Sequence, residues 1–154
     1  SPSSLTVNVG DSVTIVHPYN MNVGERVSIH PYTYIVGEVN IGDNVGIAAH
    51  CSLIAQTHNY SVTSIPYKMQ GVEGQPIYIG NDVWIGSGSI IKGGTKIGDG
   101  VIIGSGSVVS GEIPPYSVVA GNPARVFFDR KKEKRQTKIS ERCLAVELYF
   151  KNKN

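Results

Sequence analysis

An aliphatic side chain recurs every six residues along most of this chain, at Val23, Ile29, Ile35, Ile41, Ile47 and Leu53, and again at Ile79, Ile85, Ile91, Ile97, Ile103 and Val109. Val9 and Ile15 form an earlier pair, set off from the rest by a two-residue insertion. Four residues after each beat the side chain is again apolar or small: Val27, Thr33, Val39, Val45, Cys51 and Thr57, then Val83, Ser89, Thr95, Val101, Ser107 and Ile113. A period of six fits neither the helical repeat of about 3.6 nor simple strand alternation. It predicts a short strand, a turn and a repeat, with three strands closing one triangular coil of eighteen residues. Inward positions of successive coils then stack about 4.8 Å apart. Glycine and Asn, Asp or Ser fall where the chain rounds a corner, as in Gly42-Asp43-Asn44 and Gly80-Asn81-Asp82. Such positions need positive φ or a side chain that bonds its own backbone. The expected fold is an all-β solenoid whose coils pair with one another and leave edges only at the ends. Strands of an antiparallel sandwich would recur at about 8–12 residues and would not hold one phase along the chain.

The same phase divides the chain. Residues 1–22 predict an irregular first coil with His17-Pro18-Tyr19-Asn20 at a corner, and residues 23–58 predict two full coils. The beat then stops: residues 59–78 leave the prism, and Ile79 restarts it. Long excursions from so regular a body are often functional. Residues 79–114 give two further coils, Pro114-Pro115-Tyr116 ends the pattern, and residues 117–123 read as a last partial strand and turn. We therefore expect a β-helix domain over 1–128 and a basic C-terminal tail over 129–154, with Ser140-Glu141 opening a short helix that places Leu144 and Leu148 on one face.

Composition changes this picture little. The chain has 154 residues, enough for one domain, and its 18 glycines suit a corner-rich solenoid. No apolar run approaches the ~18 residues of a membrane span. The start, Ser1-Pro2-Ser3-Ser4, is polar, so no secretory signal is expected, and its lack of Met suggests processing or trimming. Cys51 falls on an inward position and Cys143 in the tail, so no disulfide is expected, Cys51 should be inert, and the cytoplasm is the expected compartment. The formal charge of +2 hides an asymmetry: residues 126–154 hold nine Lys/Arg and four Asp/Glu, hence +5, whereas residues 1–125 hold five and eight, hence −3. No basic stripe interleaved with aromatics supports nucleic-acid binding. A basic tail is either a solvated segment or suited to attract a phosphate-bearing cofactor or an anionic membrane surface, as peripheral association.

Candidate chemistry is sparse. His58, in Gln56-Thr57-His58-Asn59-Tyr60, stands at the root of the excursion. Taken alone it reads as an exposed turn histidine. Beneath a protruding loop it is also a sensible general base, with a pKa near neutrality. His17 and His30 precede prolines at corners, and His50 lies one strand before His58. A zinc site from these residues lacks a supporting Asp, Glu or Cys cluster, so no metal is expected. Gly86-Ser87-Gly88-Ser89 and Gly104-Ser105-Gly106-Ser107 resemble phosphate loops but lack the P-loop lysine and a following helix, and read as corners that expose backbone N–H and C=O groups along one edge. An amide-bearing ligand can pair with such an edge as an added strand does. Trp84, the single tryptophan, occupies an outward position and is expected to cover a loop, a neighbouring subunit or a ligand.

Five stretches carry a family resemblance: Ile41-Gly42-Asp43-Asn44-Val45, Thr57-His58-Asn59-Tyr60, Asp82-Val83-Trp84-Ile85-Gly86-Ser87-Gly88, Ile103-Gly104-Ser105-Gly106-Ser107-Val108-Val109, and the run from Ile113 to Val126 that contains Gly121-Asn122-Pro123-Ala124-Arg125. Over roughly residues 20–127 the chain resembles the left-handed parallel β-helix (hexapeptide-repeat) acyltransferases, in particular the O-acetyltransferases of sugars and bacterial surface polysaccharides. The resemblance implies an acetyl-CoA-dependent O-acetyltransferase without a metal, acting as a homotrimer with sites between prisms. It implies His58 as general base, Trp84 lining the acyl-transfer cleft, Ser87 and Ser105 offering backbone to the pantetheine arm, and Ser110, Gly111 and Arg125 holding the nucleotide end. Gly111 stands where relatives often carry lysine. It carries no acceptor-binding residue onto this chain. The remaining alternatives are an antibiotic or other small-molecule acetyltransferase of the same fold, a zinc-dependent carbonic anhydrase-like protein, and a catalytically silent scaffold.

Overall fold

The structure, a computed structural model, describes residues 6–132. The chain winds into a three-sided prism whose faces are parallel sheets. Face A stacks Val7–Val9, Val27–Ile29, Gly46–Ile47, Trp84–Ile85, Ile102–Ile103 and Ser117–Gly121. Face B stacks Thr14–Val16, Tyr34–Val36, Ser52–Ile54, Ile90–Lys92 and Val108–Val109. Face C stacks Met21–Val23, Val39–Ile41, Ile77–Ile79, Lys96–Ile97 and Glu112–Ile113. Register follows the beat: Ile47 lies between Ile29 and Ile85, and Ile103 between Ile85 and Val119.

The interior is the set of positions the period marks. Ile29, Ile35, Ile47, Leu53, Ile85, Ile91 and Ile103 are fully buried, and so are Val27, Val39, Val45, Val83 and Val101 four residues after a beat. Threonine and serine occupy the same inward column because their hydroxyls reach nearby carbonyls. Thr33 donates to Ala48 O at 3.2 Å, Ser89 to Gly104 O at 3.2 Å, and Thr95 to Lys92 O at 2.5 Å. Every buried side-chain nitrogen and oxygen among the described residues has a partner, as close packing without water requires. Cys51 sits in this column too; burial pushes its thiol up, and Sγ donates to Gly86 O at 3.3 Å. Cys143 lies outside the described residues. Val9 (54 % exposed) and Val23 (37 %) keep the phase but not the burial, because no described coil lies beneath them.

Corners turn through one left-handed residue each. Between faces A and B this residue is Ser12, Tyr32, His50, Gly88 and Gly106 in successive coils; between C and A it is Arg26, Asn44, Asp82, Gly100 and Tyr116; between B and C it is His17, Gly37, Gly94 and Gly111. The conformation costs a residue with a Cβ about 1–2 kcal/mol.

The excursion departs at corner BC. Gln56–His58 pairs antiparallel with Val72–Gly74, forming a two-stranded arm. Gln75 closes its root, donating to Ala55 O at 2.7 Å and accepting from Gly94 N at 3.0 Å; a Cβ on Gly93 would come within 2.9 Å of the Gln75 Cβ. The prism resumes at Ile77, opposite Val39, two residues before the beat itself. Thr57, in phase for an inward position, is exposed because the chain has already left the prism. At the far end Ala124–Asp129 folds back antiparallel on Ser117–Gly121. The helix expected to open at Ser140-Glu141 lies outside the described residues, as does the tail from residue 133 onward. No helix among the described residues is long and apolar enough to cross a membrane.

Candidate active site

Corner AB presents a line of backbone donors. Ser87 and Ser105 occupy the same corner position in consecutive coils, both exposed. The Ser87 carbonyl accepts from Gly106 N at 2.8 Å, but among the described residues no partner takes the N–H of Ser87 or of Ser105. These two donors stand about 4.8 Å apart, the spacing of successive coils. Their left-handed neighbours, Gly88 and Gly106, leave the edge bare: a Cβ on either would meet nothing within 4 Å. Arg125 rises above the same corner, because the turn after Gly121 brings Ala124 back opposite it and sets Arg125 opposite Ala120. Its side chain is exposed, with Nη1 donating to Ala124 O at 2.9 Å.

Trp84 faces outward on face A, beside this edge. Its indole lies over Gly46, where a Cβ would approach Cε3 to 2.6 Å and Cζ3 to 2.8 Å. Glycine is required there for a steric reason, not a conformational one. The His30 ring meets the indole edge-on, at 6.4 Å between centroids and 86° between planes.

The other predicted residues lie elsewhere. His58 ends the first strand of the arm at corner BC and is exposed. Its ring packs T-shaped against Tyr67, at 5.4 Å and 84°. Asn59, next to it in the chain, is committed to the arm: its N–H donates to Gly71 O at 3.0 Å and its Nδ2 to Gln70 O at 3.2 Å. Ser110 and Gly111 are exposed at corner BC further along the prism, with Gly111 at φ +80° and its carbonyl accepting from Lys96 N at 3.0 Å. One copy thus gathers Trp84, Ser87, Ser105 and Arg125 at corner AB and His58, Ser110 and Gly111 at corner BC, with face B between.

Two residues of the site escaped sequence reasoning. Gln70 acts as a short strand inside the arm: Oε1 accepts from Val62 N at 3.1 Å, and Nε2 donates to Val62 O at 2.8 Å and Ile65 O at 2.7 Å. By bracing the arm it presents Tyr67 to His58. An irregular loop has no period, so no sequence signal marks either residue. The remaining histidines each have a separate partner: His17 Nδ1 bonds the Tyr19 hydroxyl at 2.7 Å, and His50 stacks on Tyr32. Among the described residues no three His, Cys, Asp or Glu side chains come together as metal ligands.

A prism of hexapeptide coils is the fold of a class of transferases. The family model for the bacterial transferase hexapeptide (six repeats) matches residues 76–111. The chain is 36 % identical over 130 residues to a probable acetyltransferase of Mycobacterium tuberculosis, covering 81 % of this chain and 43 % of that protein. It is 40 % identical over 128 residues to nodulation protein L of Rhizobium meliloti, covering 77 % and 68 %. A solved galactoside acetyltransferase in complex with coenzyme A matches it with a TM-score of 0.75 at 32 % identity, over 86 % of this chain and 68 % of that one. The chain belongs to the hexapeptide-repeat acyltransferase family, the left-handed parallel β-helix transferases. It spans from 43 % to 68 % of the length of these two relatives.

Proposed function

We propose that this chain transfers an acetyl group from acetyl-CoA to a hydroxyl of a sugar or of a bacterial surface polysaccharide or its precursor, at a site shared between copies of the chain. The observation that carries the reading is the division of the site between two corners. Ser87, Ser105 and Arg125 ascend corner AB in that order; His58, then Ser110 and Gly111, ascend corner BC in the same sense. A homotrimer that sets corner AB of one copy against corner BC of the next assembles three complete sites. The outward surfaces suit this arrangement. Face C is polar apart from Tyr78, with Asn22 Nδ2 bonding Asn40 Oδ1 at 2.7 Å and Lys96 meeting Glu112 at 3.5 Å. Faces A and B carry Trp84, Ile102, Tyr34 and Ile90, and the arm exposes Tyr60 and Met69 (77 % and 76 %). Unpartnered apolar surface of this kind marks an interaction site.

The edge at corner AB fits an extended thioester carrier. The free N–H of Ser105 pairs with an amide carbonyl of the pantetheine arm as an added strand would, and that of Ser87 stays available at the thioester end. The Arg125 guanidinium meets a phosphate of the nucleotide end, with Ser110 and Gly111 of the neighbouring copy beside it. Trp84 walls the thioester end. His58 of the neighbouring copy, packed edge-on against Tyr67, removes the acceptor hydroxyl proton as its oxygen attacks the thioester carbonyl. A C–O bond forms, the carbonyl electrons move to oxygen, and the Ser87 N–H stabilises that oxyanion. Collapse expels the coenzyme A thiolate, which takes the proton from His58. No acyl-enzyme is needed, because both substrates meet in one cleft. A metabolite donor and the free thiol of Cys51 support a reaction in the cytoplasm. The basic tail is suited to an anionic membrane surface nearby.

The test is His58→Ala assayed by thiol release from acetyl-CoA with sugar acceptors. Loss of a general base should lower turnover by about 10²–10⁴-fold. Turnover within about tenfold of the parent would remove His58 from the chemistry.

A further inference from the structure

Corner AB carries two rings that this reading of the chemistry leaves idle. At its left-handed position the two upper coils use glycine, at Gly88 and Gly106, whereas the two coils below use Tyr32 (φ 62°) and His50 (φ 60°). Bulky side chains are uncommon in this conformation, although His17, Arg26 and Tyr116 adopt it at the other corners; what sets Tyr32 and His50 apart is that their rings meet. The two rings stack on each other, 5.0 Å between centroids and 10° between planes. Both are exposed, Tyr32 at 61 %. The column stops at His50. The next position up is Gly88, where a Cβ would meet nothing within 4 Å. One face of the imidazole is therefore backed by Tyr32 and the other is open, beneath the corner whose Ser87 N–H has no partner.

We propose that the open face of His50, backed by Tyr32, is the floor of the acceptor site, and that it selects a pyranose ring. This rests on the acyl-transfer reading above. A pyranose offers a flat face of C–H groups that packs on an aromatic ring, while its hydroxyls radiate from the rim. Seated on His50, the ring holds one rim hydroxyl at the level of Ser87, where the thioester carbonyl lies. An acyclic polyol has hydroxyls of the same acidity but no flat face, and gains nothing from the shelf. The two side chains thus separate acceptors by shape.

His50→Gly is the decisive variant. It installs the residue already used at positions 88 and 106 and relieves the left-handed backbone, so the fold is expected to survive with an unchanged or higher melting temperature. Thiol release is measured with methyl β-D-glucopyranoside, methyl β-D-galactopyranoside, glycerol and chloramphenicol, and acetyl-CoA binding is measured separately by calorimetry. The expected result is a KM for the pyranoside about tenfold higher in His50→Gly and about threefold higher in Tyr32→Ala. His50→Phe should recover the loss, and acetyl-CoA affinity should stay within about twofold in all three. A pyranoside KM that moves less than twofold in His50→Gly overturns the shelf and leaves acyl transfer standing. Parent enzyme that uses glycerol or chloramphenicol as well as a pyranoside does the same. Absence of thiol release with every acceptor, despite acetyl-CoA binding, overturns the acyl-transfer reading and the shelf with it.

Discussion

Corners AB and CA share a backbone and differ in what their N–H groups meet. At CA, the N–H of Glu25 donates to Asp43 Oδ1 at 2.8 Å, that of Asp43 to Asn81 Oδ1 at 2.8 Å, and that of Asn81 to Asp99 Oδ1 at 2.7 Å. Each Asx side chain reaches down one coil and closes the donor beneath it, and Gly24, Gly42 and Gly80 leave the space it needs. At AB the equivalent positions are Ala49, Ser87 and Ser105, whose side chains are too short, and the donors of Ser87 and Ser105 stay open. A corner that only holds coils together satisfies its own polar groups. A corner that leaves them open at the surface is shaped for something else to pair with, and local rules are broken most often at functional sites.

Moving the ladder to the other corner should break this contrast most severely. Gly86 lies beneath Ser105 as Gly80 lies beneath Asp99. In Ser105→Asp the new carboxylate therefore reaches the Ser87 N–H. Stability should rise by about 0.5–1 kcal/mol, read as a higher melting temperature. The oxyanion donor is then occupied, and turnover should fall by about 10²–10³-fold. Full activity in a stabilised Ser105→Asp would mean that the Ser87 N–H stabilises nothing in the reaction. The same variant also tests the sharing of the site. Ser105→Asp and His58→Ala are each inactive for a defect at a different corner. Refolded together, mixed assemblies should regain activity at about a quarter of the sites; a site confined to one copy would regain none.

How much of this was legible beforehand follows from the period. A spacing of eighteen fixes which residues share a corner, so Ser87 with Ser105, and Gly88 with Gly106, could be stacked on paper. The buried columns were equally readable, since each inward side chain has only the one above and the one below to fit. The same arithmetic places Gly111, six residues past Ser105, on the next corner, and so already contained the division of the site. Arg125 obeys no such rule, because the chain reverses after Gly121 and carries it back toward corner AB. Thr57 kept its phase yet lost its place, since one departing residue is enough to void the pattern. Gln70 and Tyr67 hold the arm through side-chain geometry that no period encodes. Gly46 under the Trp84 ring was unreadable for a related reason: its partner is 38 residues away and meets it only after the arm has been looped out.

Removing a donor outright, without closing the corner, should have a milder effect. Proline already occupies this corner position at Pro31, over Gly10, and at Pro115 on the other corner, over Gly98; in both cases the glycine below admits the ring. Gly86 offers Ser105 the same clearance, and the Ser105 N–H makes no internal bond that proline would sacrifice. In Ser105→Pro the KM for acetyl-CoA should rise about fivefold to tenfold, the worth of one hydrogen bond to the carrier. The melting temperature should hold or rise slightly. A KM that does not move would take Ser105 out of the binding edge and leave only Ser87 there.

The smallest effect belongs to the opposite exchange. Asp99→Ser gives corner CA the residue that corner AB uses, and withdraws the acceptor from the Asn81 N–H. The bond is at an exposed corner, where water replaces the lost carboxylate, so the cost is limited to about 1 kcal/mol. That loss should appear as a melting temperature lower by a few degrees. Corner CA belongs to neither half of the site, so KM for acetyl-CoA and turnover should match the parent. A substantial loss of turnover in Asp99→Ser, at a temperature where the protein is fully folded, would mean that the two corners are coupled through the prism and that the ladder tunes the site as well as supporting it. Unchanged kinetics with a lowered melting temperature would show that one backbone geometry, repeated at two corners, serves cohesion at one and recognition at the other according to whether an Asx side chain reaches down from the coil above.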